Sequence, residues 1–259
     1  MQLYFKKYGT EGKILIILHG LFGMSDNWHN IARKLSETNI VFTLDQRNHG
    51  QSPHSPVMNY SVMADDIWEF MKSENIVEAI LIGHSMGGKT AMAFADKYPA
   101  KTEKLIVVDI APKAYKPGHI IYFDAMKTID FKATGRKEIE NQLAKRIADK
   151  GEMLFLLKNL YRKESGEFGL KINLEAIEIN YEEIIGEVNF SKPINSPTLF
   201  IKGQNSNYIS ENDKQIIKQN FTNVSFETIP NSGHWVHAEN PEVFLKVVIE
   251  FLSQNFEES

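Results

Sequence analysis

Cysteine is absent from the 259 residues. That excludes disulfides, thiolate nucleophiles and cysteine-based metal centres. No apolar run approaches the length of about 20 residues that spans a bilayer, so membrane insertion is not expected. The amino terminus, Met1-Gln2-Leu3-Tyr4-Phe5-Lys6-Lys7, lacks the basic start and long apolar core of a secretory signal. A cytoplasmic location is the expectation. A strong excess of one charge is missing as well: 29 Lys and Arg stand against 33 Asp and Glu. This balance gives no electrostatic case for nucleic acid or an anionic membrane. No internal repeat and no low-complexity segment occurs. The apolar share of 42% is that of an ordinary globular chain. The length suits one large α/β domain, or one with an inserted subdomain, acting as a monomer or homodimer.

The order of apolar patterns gives the architecture. Lys13-Ile14-Leu15-Ile16-Ile17-Leu18 is a near-continuous apolar run, the mark of a strand buried on both faces of a parallel sheet. A helix follows, capped by Ser25 or Asp26, with Trp28, Ile31, Ala32 and Leu35 inward. Residues 40–44 form the next strand and run into the polar loop Asp45-Gln46-Arg47-Asn48-His49-Gly50-Gln51-Ser52-Pro53. A helix from Ser61 carries Met63, Ile67, Phe70 and Met71 at helical spacing. Strands at 79–82 and 105–108 come next. Such alternation predicts a doubly wound, mostly parallel sheet. From 111 to 192 the pattern becomes helical, at 119–129, 136–150, 152–161 and 173–185, with no convincing strand. This block reads as an inserted cap on a core made of 1–110 and 193–259. Alternation resumes at 198–202, 211–219 and 224–229. A last helix begins at Asn240-Pro241.

The stretch Gly83-His84-Ser85-Met86-Gly87-Gly88-Lys89-Thr90 carries the chemistry. Gly83-x-Ser85-x-Gly87 between a strand and a helix places a serine hydroxyl on a sharp turn above the sheet edge. The glycines avoid clashes with the neighbouring strand and helix. The same letters also fit the phosphate-binding loop Gly83-x-x-x-x-Gly88-Lys89-Thr90, and Asp109 at the end of an apolar strand resembles the magnesium ligand of such proteins. The stretch by itself therefore supports a serine hydrolase or a nucleotide-binding protein.

The rest of the chain favours the serine. His19-Gly20 at a strand end offers backbone N–H groups toward it. His234, in Asn231-Ser232-Gly233-His234-Trp235, follows the last strand at the sheet's carboxyl edge. The order Ser85, acid, His234 is that of the serine hydrolases built on this kind of sheet. Ser85 is then the nucleophile and His234 the base. The backbone N–H groups of Met86 and of Leu21 or Phe22 are the oxyanion donors. The acid is less direct, because the loop 203–209 has no carboxylate. Asp109, at the end of the strand after the nucleophile's, competes with Glu211 and Asp213. His237 reads as packing or surface, since no third ligand stands at metal spacing. No metal and no cofactor is required. His19, Asp45, Arg47 and His49 read as loop braces.

With those residues in view, the sequence resembles the α/β-hydrolase superfamily, and within it the small bacterial esterases of the YbfF type. The resemblance rests on His19-Gly20-Leu21-Phe22-Gly23, residues 45–52, 83–89 and 108–112, and Gly233-His234-Trp235-Val236-His237-Ala238-Glu239. It implies Asp109 as the orienting acid. It also implies a small-molecule substrate, an ester of short to medium acyl chain, with acyl thioesters such as acyl-CoA as an extension. A lyase or C–C hydrolase on the same fold is the alternative within the superfamily. The cap would supply the acyl pocket, with Tyr115, Phe123, Met126, Phe155 and Leu156 as candidates. Lys89, Lys113 and Lys116 are read as solvated surface charges rather than a phosphate site.

Overall fold

The apolar runs become adjacent strands of one sheet in the computed structural model, which describes residues 1–256. In chain order the first half contains β1 (Phe5–Tyr8), β2 (Lys13–Leu18), α1 (His29–Leu35), β3 (Asn39–Leu44), α2 (Tyr60–Ser73), β4 (Ala79–His84), α3 (Met86–Lys97) and β5 (Thr102–Val108). Then come α4 (Ile120–Lys127), α5 (Arg136–Leu143), α6 (Lys150–Leu157), β6 (Leu160–Arg162), β7 (Phe168–Leu170), α7 (Leu174–Ile179) and α8 (Tyr181–Ile185). The chain ends with β8 (Thr198–Gly203), α9 (Glu211–Asn220), β9 (Val224–Ile229), α10 (Val236–Glu239) and α11 (Pro241–Ser253).

The sheet has seven strands in the order β1-β3-β2-β4-β5-β8-β9. Only β1 runs antiparallel, against β3. From β2 the chain moves to β3 on one side, and later returns to β4 on the other. Connections therefore diverge at the carboxyl ends of β2 and β4, where ligand crevices form in open α/β sheets. Side chains alternate across the sheet. Ile16, Leu81 and Val107 join the core under α2, α3 and the inserted helices. Leu15, Ile80 and Ile106 join the core under α1 and α11, with Phe244, Val248 and Phe251. Both faces are covered, which is why these strands read as unbroken apolar runs rather than alternating ones.

Four expectations are corrected. The segment between β5 and β8 does contain strands: β6 and β7 form a hairpin turned at Gly166, whose φ is +87°. Three residues per strand are too few to show a period. The helix expected at 136–150 stops at Leu143, because the Asp149 side chain caps a new helix by accepting the N–H of Glu152 at 2.8 Å. The expected helix 173–185 divides at Asn180, whose amide donates to Ala176 O and Pro56 O. Ser25 and Asp26 do not cap α1, which follows a 3-10 turn at Ser25–Trp28. Ser25 instead gives its N–H to Asp45 Oδ1 at 2.6 Å, and Asp26 pairs with Lys6.

The loop after β3 is fixed to α2 by a buried ion pair. Arg47 meets Asp66 through two donors, Nε at 2.6 Å and Nη2 at 2.9 Å, and also donates to Val57 O and Val62 O. Both side chains are shielded from water, so removing one partner leaves a buried charge. Asp66→Ala should destabilise the fold by about 3–5 kcal/mol. Glu69→Ala, which breaks an exposed pair with Lys72, should cost less than about 1 kcal/mol. Urea unfolding of the two variants checks the contrast, and equal losses would show that the Arg47 pair is not the anchor of this loop.

Candidate active site

β4 ends at His84 and α3 begins at Met86, so Ser85 alone makes the turn. Its backbone is left-handed, φ 52° and ψ −120°, a conformation that costs a non-glycine residue about 1–3 kcal/mol. The surroundings enforce it. A Cβ on Gly83 would lie 2.2 Å from Gly87 O, and one on Gly87 would lie 2.4 Å from Leu18 O. Strand and helix thus approach more closely than any side chain permits. The Ser85 N–H is held by Val108 O at 3.0 Å.

Asp109 occupies the equivalent place at the end of the neighbouring strand, β5, also left-handed with φ 52°. Its carboxylate is wholly buried. Oδ1 accepts the N–H of Gly203 at 3.0 Å. Oδ2 accepts the Ser206 hydroxyl and, at 2.8 Å, Nδ1–H of His234. The loop 203–209, which lacks an acid, therefore serves the acid of the adjoining strand. Glu211 is exposed and pairs with Lys214. Asp213 caps α9 through Ser210 and pairs with Lys113 at 2.6 Å. Neither carboxylate contacts His234.

Donation from Nδ1 leaves Nε2 of His234 as a lone-pair acceptor. The ring lies flat against Tyr208, with centroids 3.8 Å apart and planes 14° from parallel. His84 fixes the backbone beneath it, donating from Nε2 to His234 O at 2.8 Å. Glu239 accepts the N–H groups of Gly233 and Trp235. Ser85 and His234 line one cavity of about 300 Å³. Among the described residues no hydrogen bond joins the Ser85 hydroxyl to His234, whereas Asp109 and His234 are in contact.

The two proposed donors near Ser85 separate. The Phe22 N–H is already spent on His49 Nε2 at 3.2 Å, while His49 Nδ1 donates to Arg47 O. That removes Phe22 as an oxyanion donor. The N–H groups of Leu21 and Met86 have no protein partner among the described residues. His19 braces the next loop, accepting the Gln46 N–H at 2.9 Å, and Asp45 accepts the N–H groups of Ser25 and Gln51.

Of the expected pocket residues, Phe155 and Leu156 line the large cavity. Tyr115 lines a second cavity of about 70 Å³ that shares Ser85, Leu21, His119 and Tyr208 with the first. Phe123 and Met126 do not line either. Phe123 is buried against Phe22 and Tyr181, with ring centroids 5.3 and 5.2 Å away, and Met126 lies in the core. Helical spacing shows only that both are inward. His119, Tyr122 and Tyr208 line the large cavity and carried no motif, and Trp235, noted only as the neighbour of His234, lines it too. His237 stacks on Trp28 at 4.0 Å with its Nδ1 unpartnered.

Lys89 is a further correction: it is buried, not a surface charge. Its ammonium donates to the carbonyls of Lys113 (2.8 Å), Ile185 (3.2 Å) and Gly186 (2.5 Å). An ammonium has three protons, and all three are taken. Burial pulls its pKa down to about 7. The residue that would cradle a phosphate in the nucleotide reading is therefore occupied by backbone. That reading also places the Asp109 carboxylate on magnesium, whereas it faces His234.

Burial also acts on the imidazoles around the cavity. It pushes His19 down to about 4 and His49 down to about 3, the latter helped by its His19 neighbour. His237 falls to about 3, from burial and then from His234.

Comparison with known proteins gives one coherent set. The family model for the alpha/beta hydrolase fold matches residues 13–241. The chain is 40% identical to the sn-1-specific diacylglycerol lipase ABHD11 of Danio rerio over 248 residues, 92% of this chain and 78% of that one. It is 34% identical to esterase YbfF of Escherichia coli over 241 residues, 92% of each chain. Among solved structures it superposes on a marine microorganism esterase with a TM-score of 0.95 and 45% identity, covering 96% of this chain and 99% of that one.

The lowered imidazole pKa values set a pH dependence. Unfolded histidine titrates near 6.5, so between there and the folded values the unfolded chain binds protons that the fold excludes. The stability that these imidazoles contribute is full above about pH 6.5 and falls as pH drops toward 4, by about 1.4 kcal/mol per pH unit for each group in the window. Urea unfolding at pH 7.5 and 5 should show this fall. His237→Phe should reduce the slope by about one proton; an unchanged slope would show that His237 is charged in the fold.

Proposed function

The chain belongs to the alpha/beta hydrolase fold family, and on that footing we propose that it is a serine hydrolase of carboxylic esters working through an acyl-enzyme on Ser85. His234 Nε2 takes the Ser85 proton as Oγ attacks the ester carbonyl. The N–H groups of Met86 and Leu21 receive the charge that develops on the carbonyl oxygen. The intermediate collapses, the protonated His234 delivers its proton to the departing alcohol, and the acyl group remains on Ser85. Water then repeats the sequence, with His234 as base, and releases the acid. Asp109 keeps His234 in the required tautomer and stabilises the imidazolium. The serine end of the relay closes when substrate enters, since such hydrogen bonds are often poorly aligned in the free enzyme.

The observation that carries this reading is the 2.8 Å contact of Asp109 Oδ2 with His234 Nδ1, beside a serine on a strained strand-to-helix turn. The substrate is a carboxylic ester, in line with the esterase and lipase names of its relatives, and its acyl chain is of short to medium length. Acyl-CoA fits less well, because Lys89 is buried and Lys113 is paired with Asp213. Residues 111–192 act as a cap: Phe155 and Leu156 wall the large cavity and Asn159 donates to Phe22 O at 2.9 Å.

A fluorophosphonate probe followed by peptide mapping should label Ser85, and His234→Ala should abolish labelling. Asp109→Asn should lower turnover by a factor of about 10⁴, the loss known for the corresponding change in a serine protease. Glu211→Gln and Asp213→Asn should leave turnover near that of the parent. Labelling at another residue, or comparable losses in all three acid variants, would overturn the assignment.

A further inference from the structure

Among the imidazoles that line the reaction cavity, His119 has the opposite polarity to His234. His119 stands at the start of α4 and lines both cavities that meet at Ser85. Its state is set by Tyr181, a buried side chain on α8. The Tyr181 hydroxyl accepts two backbone N–H groups, from Gly118 at 3.1 Å and from His119 at 3.0 Å. Those contacts occupy its acceptor sites. Its single proton is left for His119 Nδ1, 2.7 Å away.

Nδ1 of His119 is therefore an acceptor, and the ring carries its proton on Nε2. Burial favours the neutral ring, with the His234 charge acting in the same direction. Among the described residues Nε2 has no partner. His234 is locked the other way, by Asp109, with Nε2 bare. His234 is thus built to take a proton, and His119 to give a hydrogen bond that it does not lose.

We propose that His119 is a specificity-determining residue. Its Nε2–H binds an uncharged oxygen acceptor, a hydroxyl that the substrate carries beside the scissile ester. This rests on the reading of Ser85 as nucleophile. A plain alkyl ester leaves the donor unpaired in a half-buried site, whereas an oxygen-bearing ester satisfies it. A site built to hydrogen-bond a substrate group discriminates against the analogue lacking it.

The test compares kcat/KM for glycerol monobutyrate, ethyl 3-hydroxybutyrate and ethyl butyrate. The first carries the extra oxygen on the alcohol, the second on the acyl chain, and the third has none. In His119→Leu the preference for at least one oxygenated ester over ethyl butyrate should fall about 2- to 13-fold, the worth of one neutral hydrogen bond, chiefly through KM. Which ester responds tells the side on which the acceptor sits. His119→Gln, whose amide supplies a donor near the Nε2 position, should restore most of the preference. Tyr181→Phe, which frees the tautomer, should lose part of it. If His119→Leu lowers all three esters alike, or changes neither preference, His119 does not read the substrate and the proposal is overturned. Ser85→Ala measured alongside keeps the two readings apart: turnover surviving in that variant defeats the acyl-enzyme itself, not the role of His119.

Discussion

A carboxylate sealed from water and held by three donors anchors the arrangement on which everything else depends. Asp109 accepts from Gly203, Ser206 and His234. A buried carboxylate is tolerated only when its lone pairs are filled. Here one donor is the last residue of β8, one comes from the loop after it, and the third from the loop after β9. The acid thus ties the ends of three neighbouring strands, β5, β8 and β9, into one polar cluster. The imidazole belongs to that cluster and is not free to turn. Tyr208, from the same loop as Ser206, presses on its face.

Strain is concentrated in two residues of this cluster. Ser85 and Asp109 end adjacent parallel strands, and both adopt left-handed backbone. Each is held by a backbone hydrogen bond to the next strand: Ser85 N to Val108 O and Asp109 N to Ile201 O. The sheet ladder continues across the turn and supplies the energy that an isolated loop would lack. A rigid parallel sheet under close-packed helices is what makes such turns affordable.

The inserted segment is fastened to this frame from beneath. Lys89, one helical turn after Ser85, reaches the carbonyl of Lys113 at one root of the insert and those of Ile185 and Gly186 at the other. The helix that starts just after the serine therefore also holds both ends of the segment between β5 and β8. His119 and Tyr181 belong to the same insert. They bring an imidazole to the place where the two chambers meet.

The sequence by itself determined the order of strands and helices in the central sheet, the glycine-flanked serine turn, the histidine after the last strand and the absence of thiol chemistry. Each of these is written in residues close together along the chain, where apolar period, glycine spacing and turn chemistry act directly. Only the tertiary structure decided the rest. Asp109, Glu211 and Asp213 are alike as letters, and what separates them is which carboxylate lies within hydrogen-bond reach of His234. Lys89 reads as a surface or phosphate-binding lysine until the insert folds back over it. The N–H groups of Leu21 and Phe22 differ only because His49 claims one of them. Phe123 and Phe155 share a helical pattern, yet one fills the core and the other walls the cavity. In every such case the deciding contact joins segments distant in sequence, and short-range pattern carries no record of it.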